Sequence, residues 1–156
     1  ALRRRRLTPL VPYDGERLTL KGGASLTFLG PAEDIPADRI NDRSLITLFQ
    51  TGSASVLLMG DAEEPAEQSL MRHHPGLRCD ILKVGHHGSD TSSSPAFLSA
   101  LGAQTAIISC GTDNDYGHPA EQTLTNLTLA GVRDIRMTAE SGTVALPLIA
   151  YKENAV

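Results

Sequence analysis

Several stretches of this chain deliver side chains capable of chemistry just beyond an apolar run. LLMGD ends on Asp61, LKVGHHGS on His86 and His87, and IISCGTDNDYGHP carries Asp113, Asn114, Asp115, Tyr116 and His118. NDRS brings Asn41 and Asp42 just ahead of another run. Imidazole nitrogens bind Zn²⁺ and Mn²⁺ well, with carboxylates completing the shell, and one carboxylate can bridge two cations. Gly85 and Gly88 bracket the twin histidines. That placement puts at least one ring at a strand's exit, with small neighbours that let a ligand or metal approach. Asp61 also fits a helix N-cap ahead of AEEPAEQ, and the two roles are compatible because a carboxylate has two oxygens. His118, just before Pro119, stands either at a helix cap or facing a phosphate held at the helix N-terminus. Ser89, Thr91, Ser92, Ser93 and Ser94 read as turn and capping hydroxyls, with Ser89 also placed to hold a substrate oxygen. Gly-x-Ser-x-Gly and the phosphate-loop pattern Gly-Lys-Ser/Thr are both absent, so neither a nucleophile elbow nor a P-loop is expected.

The elements that must position these residues follow from hydrophobic patterning. RLTL (17–20) and SLTFL (25–29) flank a glycine-bearing loop and predict a hairpin. Residues 30–43 read as a polar, proline-broken loop. SLITLFQ (44–50) and ASVLLMG (54–60) predict a second antiparallel pair, apolar enough that both faces should be covered. Residues 62–74 predict a helix with Pro65 in its first turn. Glu63, Glu64 and Glu67 lie at its N-terminal end and Arg72, His73 and His74 at its C-terminal end, which suits the helix dipole. CDILKVG (79–85), QTAIISC (104–110), RDIRM (133–137) and TVALPLI (143–149) predict strands. Helices are expected over 94–101, capped by Ser94, and over 119–130, stopping at Gly131. Hairpins at both ends with αβ units between them predict a mixed α/β domain in place of a strict doubly wound parallel sheet.

At 156 residues the chain suits one domain with a real core. Aromatics are scarce, with no Trp, three Tyr and three Phe, so the core falls to Leu, Ile, Val and Ala. A net charge of −4 gives no global attraction to nucleic acid or an anionic membrane. The run Arg3–Arg6 is the local exception, read as a solvated terminus or as a phosphate-contacting or juxtamembrane segment. Cys79 and Cys110 sit in or beside apolar runs and read as free buried thiols, neither a disulfide nor a metal pair. No apolar run approaches the ~18 residues that a membrane span needs, and there is no signal-peptide pattern, so a soluble chain is expected.

Taken together, NDRSLITLFQTGSASVLLMGDAEEPAEQSL, CDILKVGHHGSDTSSSPAFLSAL and AIISCGTDNDYGHPAEQTLTNLTLAGV resemble the C-terminal part of the metallo-β-lactamase-like hydrolase domain of ComEC-type DNA-internalisation (competence) proteins and their free-standing relatives. The resemblance runs from about residue 25 to 147, and the order GD, KVGHHGS, YGHP is far more specific than any one piece. It implies an αββα sandwich, of which this chain would be the C-terminal half: an extension at 1–16 and an incomplete domain at 17–150. It implies a divalent-metal site, Zn or Mn, with Asp61 between two metals and the His86–His87 pair supplying a ligand, His87 favoured. Asp61, His87 and His118 would be catalytic, and Ser89, Asn114, Tyr116 and His118 would bind substrate. The substrate would be DNA, as the strand that is not imported, or another phosphoester, and the compartment extracytoplasmic if the chain belongs to a membrane competence protein.

The superfamily's main motif, His-x-His-x-Asp-His, does not occur here, and no His precedes His73. The expectation is therefore a metal-dependent phosphodiesterase or nuclease that is inactive without its N-terminal half. Half a sandwich leaves an open sheet edge and an apolar face, which predicts self-association. Two other readings stand beside it. One is a non-catalytic module that binds nucleic acid or a partner, supported by the missing motif and by Arg3–Arg6. The other is a hydrolase of the same superfamily that acts on a small ester.

Overall fold

The structure, a computed structural model, describes residues 8, 9 and 11–148. The arginine run 3–6 and position 149 of the expected last strand lie outside the described residues. Among the described residues seven strands form one sheet in sequence order: β1 Arg17–Thr19, β2 Ser25–Phe28, β3 Thr47–Gln50, β4 Ser55–Leu58, β5 Ile81–Lys83, β6 Thr105–Ile108 and β7 Asp134–Met137. The first four pair antiparallel, and β4 to β7 run parallel. The change of direction follows from connection length. Short turns close the β1–β2 and β3–β4 hairpins, whereas each parallel step needs a crossover. The helices α1 (Glu64–His73), α2 (Pro95–Leu101) and α3 (Glu121–Leu129) supply those crossovers.

Three successive right-handed crossovers moving in one direction across a sheet put all their helices on one face. The packing agrees. Leu48, Leu57, Leu82 and Ala106 are cross-strand partners on that face. They share one buried cluster with Ala66 and Leu70 of α1, Phe97, Leu98 and Leu101 of α2, and Leu127 of α3. The opposite face is unevenly covered. Ile81 and Thr105 are buried there, while Leu26, Phe49 and Val56 are half-buried and Leu58 is exposed. The expectation that β3 and β4 are covered on both faces holds only for the helix side.

Three other expectations change. The predicted strand over 143–149 is not formed over its described part. After β7 the chain makes a short helical turn, α4 (Thr138–Ser141), and residues 144–148 have no regular structure. Ser53 Oγ donates to Leu148 O at 3.2 Å, which ties this tail to the β3–β4 turn where a hairpin with β7 was expected. The loop at 30–43, read as polar, sends Ala32 and Ile35 into buried positions. Finally, neither Asp61 nor Ser94 caps a helix through its side chain. Asp42 Oδ1 accepts the Glu63 and Ala66 amides at the start of α1, at 3.0 and 3.3 Å. Glu67 accepts the Ser93 and Ser94 amides at the start of α2, at 2.5 and 2.9 Å.

Candidate functional site

Because β4, β5 and β6 are adjacent and parallel, the loops that follow them open on one edge of the sheet, the usual place for a site in an α/β fold. The chain leaves β4 through Gly60, whose φ is +60°. A Cβ there would lie 2.9 Å from Ser44 Cβ, so the close approach excludes a side chain. Ser44 Oγ in turn accepts the Asp61 amide at 2.9 Å and fixes the direction in which Asp61 leaves the strand. With Asp42 capping α1, the Asp61 carboxylate is left to the site.

After β5, the His86 amide donates to Gly60 O at 3.0 Å and binds the two loops together. His86 (φ +44°), His87 (φ +56°) and Gly88 (φ +85°) then turn left-handed in succession. Gly88 is packed against the third loop: a Cβ would come within 2.7 Å of Pro119 Cβ. Gly88 O accepts the Ala120 amide at 2.8 Å.

This tight turn sends the two imidazoles to different partners. His87 Nδ1 is 2.6 Å from Ser109 O, and a carbonyl only accepts, so Nδ1 carries a proton and a neutral ring would have its lone pair at Nε2. That Nε2 lies 3.4 Å from Asp61 Oδ1. Both side chains are about half exposed, so the contact adds little to stability. His86 turns away from Asp61. Its Nδ1 is 3.1 Å from Glu63 Oε1, which also accepts from Thr91 Oγ1 at 3.0 Å and Asn41 Nδ2 at 3.2 Å. Thr91 Oγ1 also lies 3.4 Å from His86 Nδ1, so this nitrogen faces both a carboxylate and a hydroxyl.

The His118 ring meets His86 edge-on, at 5.8 Å between centroids, and stacks on Tyr116 at 5.7 Å with 17° between planes. Asn114 shapes this loop. Its side chain donates to Gly111 O (2.9 Å) and His118 O (2.7 Å) and accepts the His118 amide (2.8 Å). A cleft of about 300 Å³ opens beside it, lined by His87, Ser109, Cys110, Asn114, Tyr116 and His118. Beneath the edge, Lys83 donates to Val84 O at 2.7 Å. Burial holds its ammonium below the ordinary lysine value, against a contrary pull from Asp61 and Cys110.

Of the residues expected to act, Asp61, His87 and His118 do share one edge, and Tyr116 and Asn114 line the same cleft as His87 and His118. The expected metal set divides: Asp61 meets His87, while His86 is engaged by Glu63. Asn114 spends its polar atoms on the loop. Ser89 is buried, with its hydroxyl 3.0 Å from Thr91 Oγ1, and is not open to a substrate. Among the described residues no group of three or more His, Cys, Asp or Glu converges closely enough to hold a metal ion. Glu63, Thr91 and Lys83 were not legible as site residues. Glu63 looked like one more acidic residue at a helix start, and only its position two residues after Asp61 hinted at more.

No protein-family model matches the chain. Individual proteins do. The chain is 40% identical over 116 residues to "ComE operon protein 3" of Bacillus subtilis (strain 168), covering 74% of this chain and 15% of that protein. It is 36% identical over 115 residues to "Competence protein ComA" of Neisseria gonorrhoeae, covering 73% and 16%. It is 44% identical over 79 residues to "Recombination protein 2" of Haemophilus influenzae, covering 51% and 10%. The resemblance drawn from the motifs is thus borne out, and the chain spans about 15% of the length of the first two of these relatives. No helix among the described residues is long and apolar enough to cross a membrane.

Proposed function

From the premise that this chain is related to competence DNA-uptake proteins over about 74% of its length, we propose that it carries part of a metal-dependent phosphodiesterase centre. In this reading the seven-stranded sheet and its helices are the C-terminal half of a metallo-β-lactamase-like αββα sandwich. The sheet face bearing Leu26, Phe49, Val56 and Leu58 then packs on the other half. One observation carries the functional reading: Asp61 Oδ1 and His87 Nε2, at the ends of adjacent parallel strands, stand 3.4 Å apart. Two donors each about 2.1 Å from a tetrahedral ion lie roughly 3.4 Å from one another, so the spacing suits joint ligation of one cation.

Asp61 Oδ1 and His87 Nε2 fit a divalent ion, Zn or Mn, as two of its ligands. Two are too few for a tight site, and the remaining ligands are proposed to come from outside the described residues. A metal bound there would supply a hydroxide at neutral pH and would neutralise charge on a phosphodiester. The chain's own residues do the rest. Ser109 O holds His87 in the tautomer that binds through Nε2. Glu63, with Thr91 and Asn41, positions His86 at the rim, and His118 stands beside it facing the cleft.

The test is DNA cleavage by the complete protein with Mn²⁺ or Zn²⁺. Asp61→Ala and His87→Ala should each lose more than the roughly 10–100-fold that removing a partner behind a metal ligand costs, and chelation should abolish cleavage. Cleavage indifferent to the chelator or to Asp61→Ala would overturn the reading. The two-ligand count favours a second reading, a non-catalytic nucleic-acid- or partner-binding module on the same fold. That reading predicts steeply salt-dependent DNA binding without cleavage.

A further inference from the structure

We propose that the Tyr116–His118 ring stack is a platform for one unstacked nucleobase of the substrate strand, seated beside the phosphodiester to be cut. This rests on the hydrolase reading and names how its substrate would be gripped. Three features carry it. The first is exposure: in a chain with six aromatic side chains of Phe and Tyr and no Trp, Tyr116 stands 83% exposed at the mouth of the cleft. Among the described residues nothing hydrogen-bonds its hydroxyl, and its ring lies almost parallel to that of His118.

The second is rigidity. Asn114 staples the loop through Gly111 and both backbone polar groups of His118, so the rings are presented rather than left to wander. A preorganised ring loses little freedom when a flat ligand docks on it. The third is the chemistry of the lining. No Lys or Arg is among the residues that line the cleft, and Asp113 and Asp115 flank the loop. Such a wall repels phosphate. What it offers is ring face, Cys110 and glycine backbone, which suit the flat face of a base. The cleft begins at His87, so a base there belongs to a nucleotide next to the one whose phosphate faces Asp61 and His87. Every base has a stacking face, so the platform favours single-stranded or frayed nucleic acid over a fixed sequence.

The experiment measures binding of a thymidine oligonucleotide and its abasic counterpart to the complete protein, by fluorescence anisotropy in chelator so that nothing is cut. Tyr116→Ala should weaken binding of the thymidine strand by roughly five- to a hundredfold, the usual worth of one stacked base. The preference for thymidine over abasic strand should fall by the same factor, and Tyr116→Phe should retain it. Unchanged thymidine binding in Tyr116→Ala, or an equal loss on the abasic strand, would overturn the proposal. Cleavage of the abasic strand with metal present checks the hydrolase reading separately. Cleavage without base preference removes only the platform, and base preference without cleavage removes only the hydrolase.

Discussion

Replacing Glu67 tests how the histidine loop is held in place. The residue is 1% exposed, yet its carboxyl group is not idle. It accepts the Ser93 and Ser94 amides, and Ser93 itself sits at φ +62°. The same stretch is tied to the loop at 85–89, because Ser92 Oγ donates to Gly85 O at 3.0 Å and Thr123 Oγ1 to Ser89 O at 2.8 Å. Asn126 Nδ2 closes the ring with a bond to Ser93 O at 3.1 Å. Glu67→Ala would strand two amides without partners, at about 1–3 kcal/mol each, and open a cavity as well, for a total loss of at least about 3 kcal/mol. Glu67→Gln keeps the volume and one acceptor but turns an amide NH₂ toward the second donor, for a loss of about 1–3 kcal/mol. Guanidinium unfolding of the two variants against wild type reads both numbers.

The pH dependence adds a sign that the contacts alone do not give. Burial pushes the Glu67 carboxyl above its ordinary 4.5, outweighing the Ser94 and Ser93 hydrogen bonds that pull it down. An acid whose pKa is higher in the folded chain binds its proton more tightly there. Its contribution is complete below the unfolded value and is lost as pH rises through the folded one. The margin of wild type over Glu67→Gln should therefore shrink as pH climbs from below 4.5 toward neutrality. A margin that widened over that interval would refute the reasoning, as would Glu67→Ala unfolding within about 0.5 kcal/mol of wild type.

Two further outcomes follow from the same packing. Gly88→Ala has to accommodate a Cβ 2.7 Å from Pro119 and 3.2 Å from Ile108 at φ +85°; it should lose about 2–5 kcal/mol in denaturant unfolding. Burial drives the Cys79 thiol up to about 12, so at pH 8 roughly one molecule in ten thousand carries the thiolate. Iodoacetamide on the native chain should then mark Cys110, which is half-buried, and spare Cys79 until the chain unfolds.

Periodicity made the crossover half of the fold legible. Apolar runs of strand length alternated with amphipathic stretches that began at Pro and ended at Gly, and β4 to β7 with their three helices fell where that pattern put them. The tail at 143–148 failed because TVALPLI carries a strand's composition without a strand's partner. Helical residues after β7 turn the chain away before it can double back, and local propensity cannot report where a neighbouring strand will be. The same holds for the site. Asp61, His87 and His118 could be placed because each directly follows a run that ends in the core. Glu63 and Glu67 could not. Both sit among acidic residues at a helix start, where a favourable dipole explains a carboxylate without any partner. Only the fold shows one facing His86 and the other under the amides of α2.

The backbone at His86 and His87 bears on whether these are mere turn residues. Two consecutive residues with a Cβ in the left-handed region cost on the order of 1–2 kcal/mol each, and a turn free of other constraints would place glycine or asparagine there. The chain holds glycine in reserve on both sides, at Gly85 and Gly88, yet sets imidazoles at the strained positions. The strain is maintained by bonds that have no other evident purpose. The His86 amide is held by Gly60 O, the loop is pinned from below by Ser92 and Thr123, and each ring is locked at Nδ1, one by Glu63 and the other by Ser109 O. With Nδ1 of His87 engaged by Ser109 O, its Nε2 is turned to Asp61, and the His86 ring meets His118 edge-on. A turn has no use for a ring nitrogen turned to a carboxylate, whereas a cation shared with Asp61 would use one as a ligand. Strain that the surroundings over-determine, at side chains left with open coordination, argues that these positions are kept for their chemistry.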